Sequence, residues 1–147
     1  MFNNILVVCV GNICRSPTAE YKLKALLPDK HIASAGINAL VEKGADSTAT
    51  EVAAQHGLNL QPHSARQLTA DLCHQADLIL VMEQGHIKAV TSLAPEARGK
   101  TMLLGRWLNS ENGLQDIPDP YRQSKEAFEH VYRLIDAATA AWATKLA

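Results

Sequence analysis

The sequence predicts an α/β fold: a three-layer sandwich in which a four-stranded parallel sheet lies between helices. Three observations predict it. The runs Ile5-Leu6-Val7-Val8, Asp77-Leu78-Ile79-Leu80-Val81-Met82 and Thr101-Met102-Leu103-Leu104 are apolar without alternation, the pattern of strands buried on both faces. Residues 31–35 read as a shorter fourth strand. Stretches with apolar residues at helical spacing alternate with these runs, and strands joined by right-handed helical crossovers lie parallel in one sheet.

The first strand leads into Cys9-Val10-Gly11-Asn12-Ile13-Cys14-Arg15-Ser16. Ser16-Pro17 reads as a helix start, because serine caps helices and proline suits the first helical position, so the octapeptide is a strand-to-helix loop. The helix over residues 17–27 turns Ala19, Leu23, Leu26 and Leu27 inward and stops at Pro28-Asp29. Residues 38–47 are loop-like apart from Leu40-Val41. Thr48-x-x-Glu51 reads as a capping box opening a short helix that Gly57 ends. Thr69 opens another, on which Cys73 packs. Residues 85–93 are helical and end before Pro95. Residues 105–123 form a long connection, a length that in a compact domain is usually functional. Ser124 caps the last helix, whose stripe of Phe128, Val131, Ile135, Ala138 and Trp142 belongs to the core.

The 147 residues suit a single domain over 1–147, large enough to bury roughly 70% of the unfolded chain's surface. A net charge of −1 with both signs well mixed argues against a nucleic-acid partner or membrane insertion. The opening Met1-Phe2-Asn3-Asn4 is not basic, and the apolar run after it is too short for a signal or a span, so a cytoplasmic location is expected. Three cysteines argue against a disulfide framework, and their spacing is not that of a zinc site. No metal and no cofactor are expected.

The loop of residues 9–16 carries the chemistry. A strand-to-helix loop gathers backbone N–H groups at the positive end of a helix dipole, which makes an anion site. Gly11 and Asn12 are the types that tolerate the left-handed backbone of such a cradle. Arg15 adds a planar fork for two oxygens of a tetrahedral oxyanion. Cys9 stands at the centre of these donors, where a helix N-terminus and a guanidinium favour the thiolate, the nucleophilic form. Ser16 is placed to hydrogen-bond that sulfur. The Lys-Ser/Thr ending of a nucleotide-binding P-loop is missing.

These residues, the following Pro17-Thr18-Ala19-Glu20 and the distant Asp119-Pro120-Tyr121 resemble the bacterial low-molecular-weight protein tyrosine phosphatases over essentially the whole chain. The resemblance implies a phosphotyrosine phosphatase I-like sheet of order 2-1-3-4, with the first strand at the switch point where open α/β sheets bind ligands. It implies that Cys9 is the nucleophile, that Arg15 and the backbone of Val10, Gly11, Asn12, Ile13, Cys14 and Ser16 bind phosphate, and that Asp119 is general acid and then base. Ser34 would hydrogen-bond near the loop, and His63 would hold Asn12 and Ser16. Leu40 would form a crevice wall where the family often carries an aromatic ring, and Tyr121 the opposite wall. Cys14 would form a reversible disulfide with Cys9 under peroxide. Residues 1–20 and 34–46 resemble the subgroup that dephosphorylates membrane tyrosine autokinases of exopolysaccharide or capsule export. The implied partner is therefore a phosphotyrosine protein, with a flexible tyrosine-rich tail.

Prolines on both sides of Asp119 restrict its backbone, which suits a carboxyl held at a fixed height. An anionic thiol beside a neutral carboxyl calls for a bell-shaped pH profile in the acid range. Two other readings are distinguishable. Thioredoxin-coupled arsenate reductases resemble this fold and loop but need relay cysteines, for which only Cys73 is available. A non-catalytic phosphotyrosine binder would bind phosphate tightly without hydrolysing its esters.

Overall fold

The structure, a computed structural model, describes residues 2–108 and 115–147. Strand β1 (Asn4–Cys9) is followed by α1 (Arg15–Leu26), β2 (His31–Gly36), α2 (Ser47–Gln55), α3 (Ala70–Gln75), β3 (Leu78–Val81), α4 (Gln84–Leu93), β4 (Thr101–Leu103) and α5 (Lys125–Leu146). Short 3₁₀ turns flank β4. The four strands are parallel in the order β2-β1-β3-β4, as expected. Part of the long connection read between 105 and 123, namely 109–114, lies outside the described residues.

The absence of alternation in the strands follows from two cores, one on each face. Ile5, Val7, Leu78 and Leu80 pack with Ala19 and Leu23 of α1 and Val131, Ile135 and Trp142 of α5. Leu6, Val8, Ile79 and Val81 face the other way, onto Cys73 of α3 and Val90 of α4. The indole N–H of Trp142 donates to the Leu104 carbonyl at 2.8 Å, so the polar end of this buried ring is satisfied. Among the described residues no helix is long and apolar enough to cross a membrane.

Three local expectations are corrected. Helix α1 begins at Arg15, its cap position is Cys14 with no side-chain cap, and Ser16 lies inside the first turn; the serine hydroxyl is turned to Cys9 instead. Leu26 is exposed, because Leu27 leaves helical geometry (φ −129°, ψ 66°) and takes the core position itself. Helix α2 is capped by Asp46, which accepts from the N–H groups of Thr48 (3.0 Å) and Ala49 (3.1 Å), while Glu51 pairs with Lys125. An aspartate caps as well as a threonine and adds a charge that the helix N-terminus favours.

Candidate active site

Strand β1 is central, and its last residue, Cys9, pairs in register with Gly36 at the end of β2. A methyl group on Gly36 would come within 2.5 Å of the Val10 carbonyl, so the loop after β1 can lie against β2 only because that position lacks a side chain. The turn itself is made at Asn12, with φ of 58°. Gly11, expected to share the left-handed backbone, does not adopt it. Asparagine tolerates that region by bonding locally.

Asn12 is fully buried and every part of its amide is used. Its Nδ2 donates to Ser16 Oγ (2.8 Å) and Ser34 Oγ (2.9 Å), and its Oδ1 accepts from the Arg66 N–H (2.9 Å). His63 Nε2 lies 2.6 Å from the Asn12 carbonyl. The resemblance put His63 on Ser16 as well; that bond comes from the Asn12 amide instead. Ser34 in turn donates to the buried carboxylate of Glu20. Ser16 Oγ, which accepts from Asn12, lies 2.9 Å from Cys9 Sγ, and toward a thiolate it can only donate. Asn12→Ala should therefore destabilise the fold by about 2–4 kcal/mol, from a stranded Arg66 N–H, lost bonds to two serines and a left-handed alanine. The urea midpoint of unfolding measures this, and a loss below about 1 kcal/mol would mean the network is dispensable.

The Arg15 side chain is almost wholly buried. Its Nη1 donates to Glu83 Oε2 (2.5 Å) and to the Ile117 carbonyl (2.8 Å), and its Nη2 is 3.8 Å from Asp119 Oδ2. Three non-local contacts hold the segment carrying Asp119. The Ile117 N–H donates to the Met82 carbonyl, Arg15 takes the Ile117 carbonyl, and Asp116 Oδ1 accepts from the Gln84 N–H. The Asp119 carboxylate stays 45% exposed, with Oδ1 accepting from the Tyr121 N–H.

Cys9, Val10, Gly11, Ile13, Cys14, Arg15, Asn38, Leu40, Asp119 and Tyr121 together line one cavity of about 180 Å³. Cys9 forms its floor with 2% of its surface exposed, and Leu40 and Tyr121 stand at the exposed rim. Asn12, Ser16, Ser34 and His63 do not line it; they brace the loop from behind. Cys9, Cys14 and Cys73 are all free thiols. Burial, then the charges of Asp46, Cys9 and Asp119, push the Cys14 pKa far up, against a smaller opposing pull from Arg15, so Cys14 stays a thiol. Among the described residues no three His, Cys, Asp or Glu side chains gather as metal ligands.

Glu83, Glu20, Arg66 and Asn38 were not anticipated. Glu83 had a signal, since it follows the third strand closely and side chains beyond the carboxyl ends of parallel strands line the crevice. The partners of Glu20 and Arg66 depend on how distant segments pack.

A sequence model of the family described as "Low molecular weight phosphotyrosine protein phosphatase" matches residues 4–147. The Wzb low molecular weight protein-tyrosine-phosphatase of Salmonella typhimurium is 56% identical over 146 residues, covering 99% of this chain and 95% of that one. The probable low molecular weight protein-tyrosine-phosphatase AmsI of Erwinia amylovora is 55% identical over 146 residues, covering 99% of each chain. Among solved structures, Vibrio vulnificus Wzb in complex with benzylphosphonate superposes with a TM-score of 0.93 at 60% identity, covering 99% of each chain.

Proposed function

Because the chain belongs to the low molecular weight phosphotyrosine protein phosphatase family, we propose that it hydrolyses phosphotyrosine in two steps through a phosphocysteine at Cys9. The observation that carries this reading is that Asp119, remote in sequence, lines one cavity with Cys9 and Arg15 of the loop. In the first step the Cys9 thiolate attacks phosphorus in line. The S–P bond forms as the P–O bond to the phenol breaks, and the Asp119 carboxyl gives its proton to the departing oxygen. Arg15 and the backbone N–H groups of residues 10–16 take up charge on the equatorial oxygens, positioned in advance of the reaction. In the second step the Asp119 carboxylate accepts a proton from water as its oxygen attacks phosphorus. Phosphate leaves, and the Ser16 hydroxyl donates to the sulfur as it regains its charge.

Cys9 is buried while Leu40 and Tyr121, which line the same cavity, are exposed, and this favours a phosphate carried on a ring over one on the short arm of serine. An aliphatic Leu40 wall can still bury a ring, without an aromatic partner's stacking geometry. Benzylphosphonate, bound by the Vibrio vulnificus relative, has this shape. The partner we propose is a membrane tyrosine autokinase of exopolysaccharide export, met in the cytoplasm through a tyrosine-rich tail. Under peroxide, Cys9 would be oxidised to the sulfenic acid, and attack by Cys14 would close a disulfide with loss of water.

Hydrolysis of p-nitrophenyl phosphate with and without a chelator tests the reading. Turnover should be the same in both, and a phosphotyrosine peptide should react in preference to its phosphoserine counterpart. Thioredoxin-dependent arsenate turnover with inert aryl phosphate would overturn it. Cys73, the thiol such a relay would need, packs in the core on the face of the sheet opposite Cys9.

A further inference from the structure

Where β3 ends, one carboxylate oxygen faces two bases. Glu83 Oε2 is 2.5 Å from Arg15 Nη1 and 3.8 Å from His86 Nε2. Glu83 occupies the cap position of α4 and His86 is the third residue of that helix, 8% exposed. The other ring nitrogen, Nδ1, is buried and has no hydrogen-bond partner among the described residues. At 3.8 Å the imidazole is outside hydrogen-bond reach of Oε2, so among the described residues the guanidinium alone holds that oxygen.

A charge on His86 would alter this balance. An imidazolium would sit near the positive end of α4, beside a second cation, with a buried Nδ1–H lacking an acceptor. Burial, followed by the Arg15 charge, holds the His86 pKa below the usual imidazole range; Glu83, Asp116 and Asp119 pull the other way. The ring is therefore uncharged near neutrality. Stability from this uncharged burial is present above the ordinary imidazole value of about 6.5 and is lost as pH falls through the lowered one. Once charged, the ring competes with Arg15 for one oxygen.

We propose that His86 is a positioning residue for Arg15: uncharged, it leaves Glu83 to hold the guanidinium ready for an oxyanion, and charged, it draws the shared carboxylate oxygen away. The inference rests on the proposed function only in taking Arg15 as the ligand of the phosphoryl oxygens.

His86→Asn retains a polar side chain that does not titrate. In profiles of kcat/KM against pH, each scaled to its own maximum, the wild-type protein should fall more steeply on the acid side. At about pH 5 the variant should keep roughly threefold more of its maximum, with the difference in KM rather than kcat, because a displaced Arg15 weakens phosphate binding. Coincident scaled profiles would overturn the proposal. The wild-type protein supplies a second measurement that needs neither a variant nor turnover. The His86 ring resonances should titrate below about 6.5, and inorganic phosphate should lower that midpoint further, because a charge on His86 that weakens phosphate binding is by reciprocity disfavoured once phosphate is bound. A midpoint unmoved or raised by saturating phosphate would also overturn the proposal. If the midpoint falls but no aryl phosphate is hydrolysed, the phosphatase reading fails while the role of His86 stands.

Discussion

Cys9→Ser is expected to lower turnover of aryl phosphates on the order of 10⁴-fold or more while leaving phosphate binding largely intact. An alcohol at this position needs a base to remove its proton, and the site offers none in the right state. Asp119 must be protonated to assist the leaving group in the same step, and the Ser16 hydroxyl, 2.9 Å from the sulfur, is a neutral alcohol too weakly basic to take a proton. Nor can Cys14 substitute, because burial keeps its thiol protonated. Arg15 and the loop amides are untouched by the change, so inorganic phosphate should still raise the melting temperature of the variant. In the wild-type protein, iodoacetate at neutral pH should modify Cys9 and spare Cys14. Ordinary turnover by Cys9→Ser would end the phosphocysteine scheme.

Asp119→Ala should slow hydrolysis of phenyl phosphate by about 10²–10³-fold, within the range general acids contribute. The effect should depend on the leaving group. A phenolate of tyrosine-like basicity, pKa about 10, cannot depart readily without a proton, whereas p-nitrophenolate is a much weaker base and depends less on the acid. Single-turnover rates across a series of substituted phenyl phosphates therefore give a steeper dependence on leaving-group pKa in the variant than in the wild type. Equal slopes would remove the acid role from Asp119. The side chain's placement makes this a test of chemistry more than of folding, because it is 45% exposed and the contacts that anchor its segment belong to Ile117 and Asp116.

Sheet order, the loop after the first strand and the catalytic candidates were read from the apolar runs, the octapeptide and the family it resembles. Caps and helix ends were less secure. Thr48 and Ser16 both had the composition of a cap, but Asp46 capped α2 from outside the expected box, and Ser16 was drawn to a sulfur seven residues earlier. For α2 two nearby side chains could serve the same backbone groups, whereas for α1 one hydroxyl could serve a backbone group or a sulfur, and packing chose in each case.

What the sequence determined by itself is local: buried strands, helices between them, and a loop whose cysteine, asparagine and arginine must converge because only a few bonds separate them. Tertiary structure alone decided the distant partners. It placed Asp119 within 3.8 Å of Arg15, gave Arg15 to Glu83, put His86 behind Glu83, and backed Asn12 with Arg66 and His63. Periodicity and capping act over a few residues of chain. A charge finds its counter-charge only after the sheet has set which strand ends lie side by side.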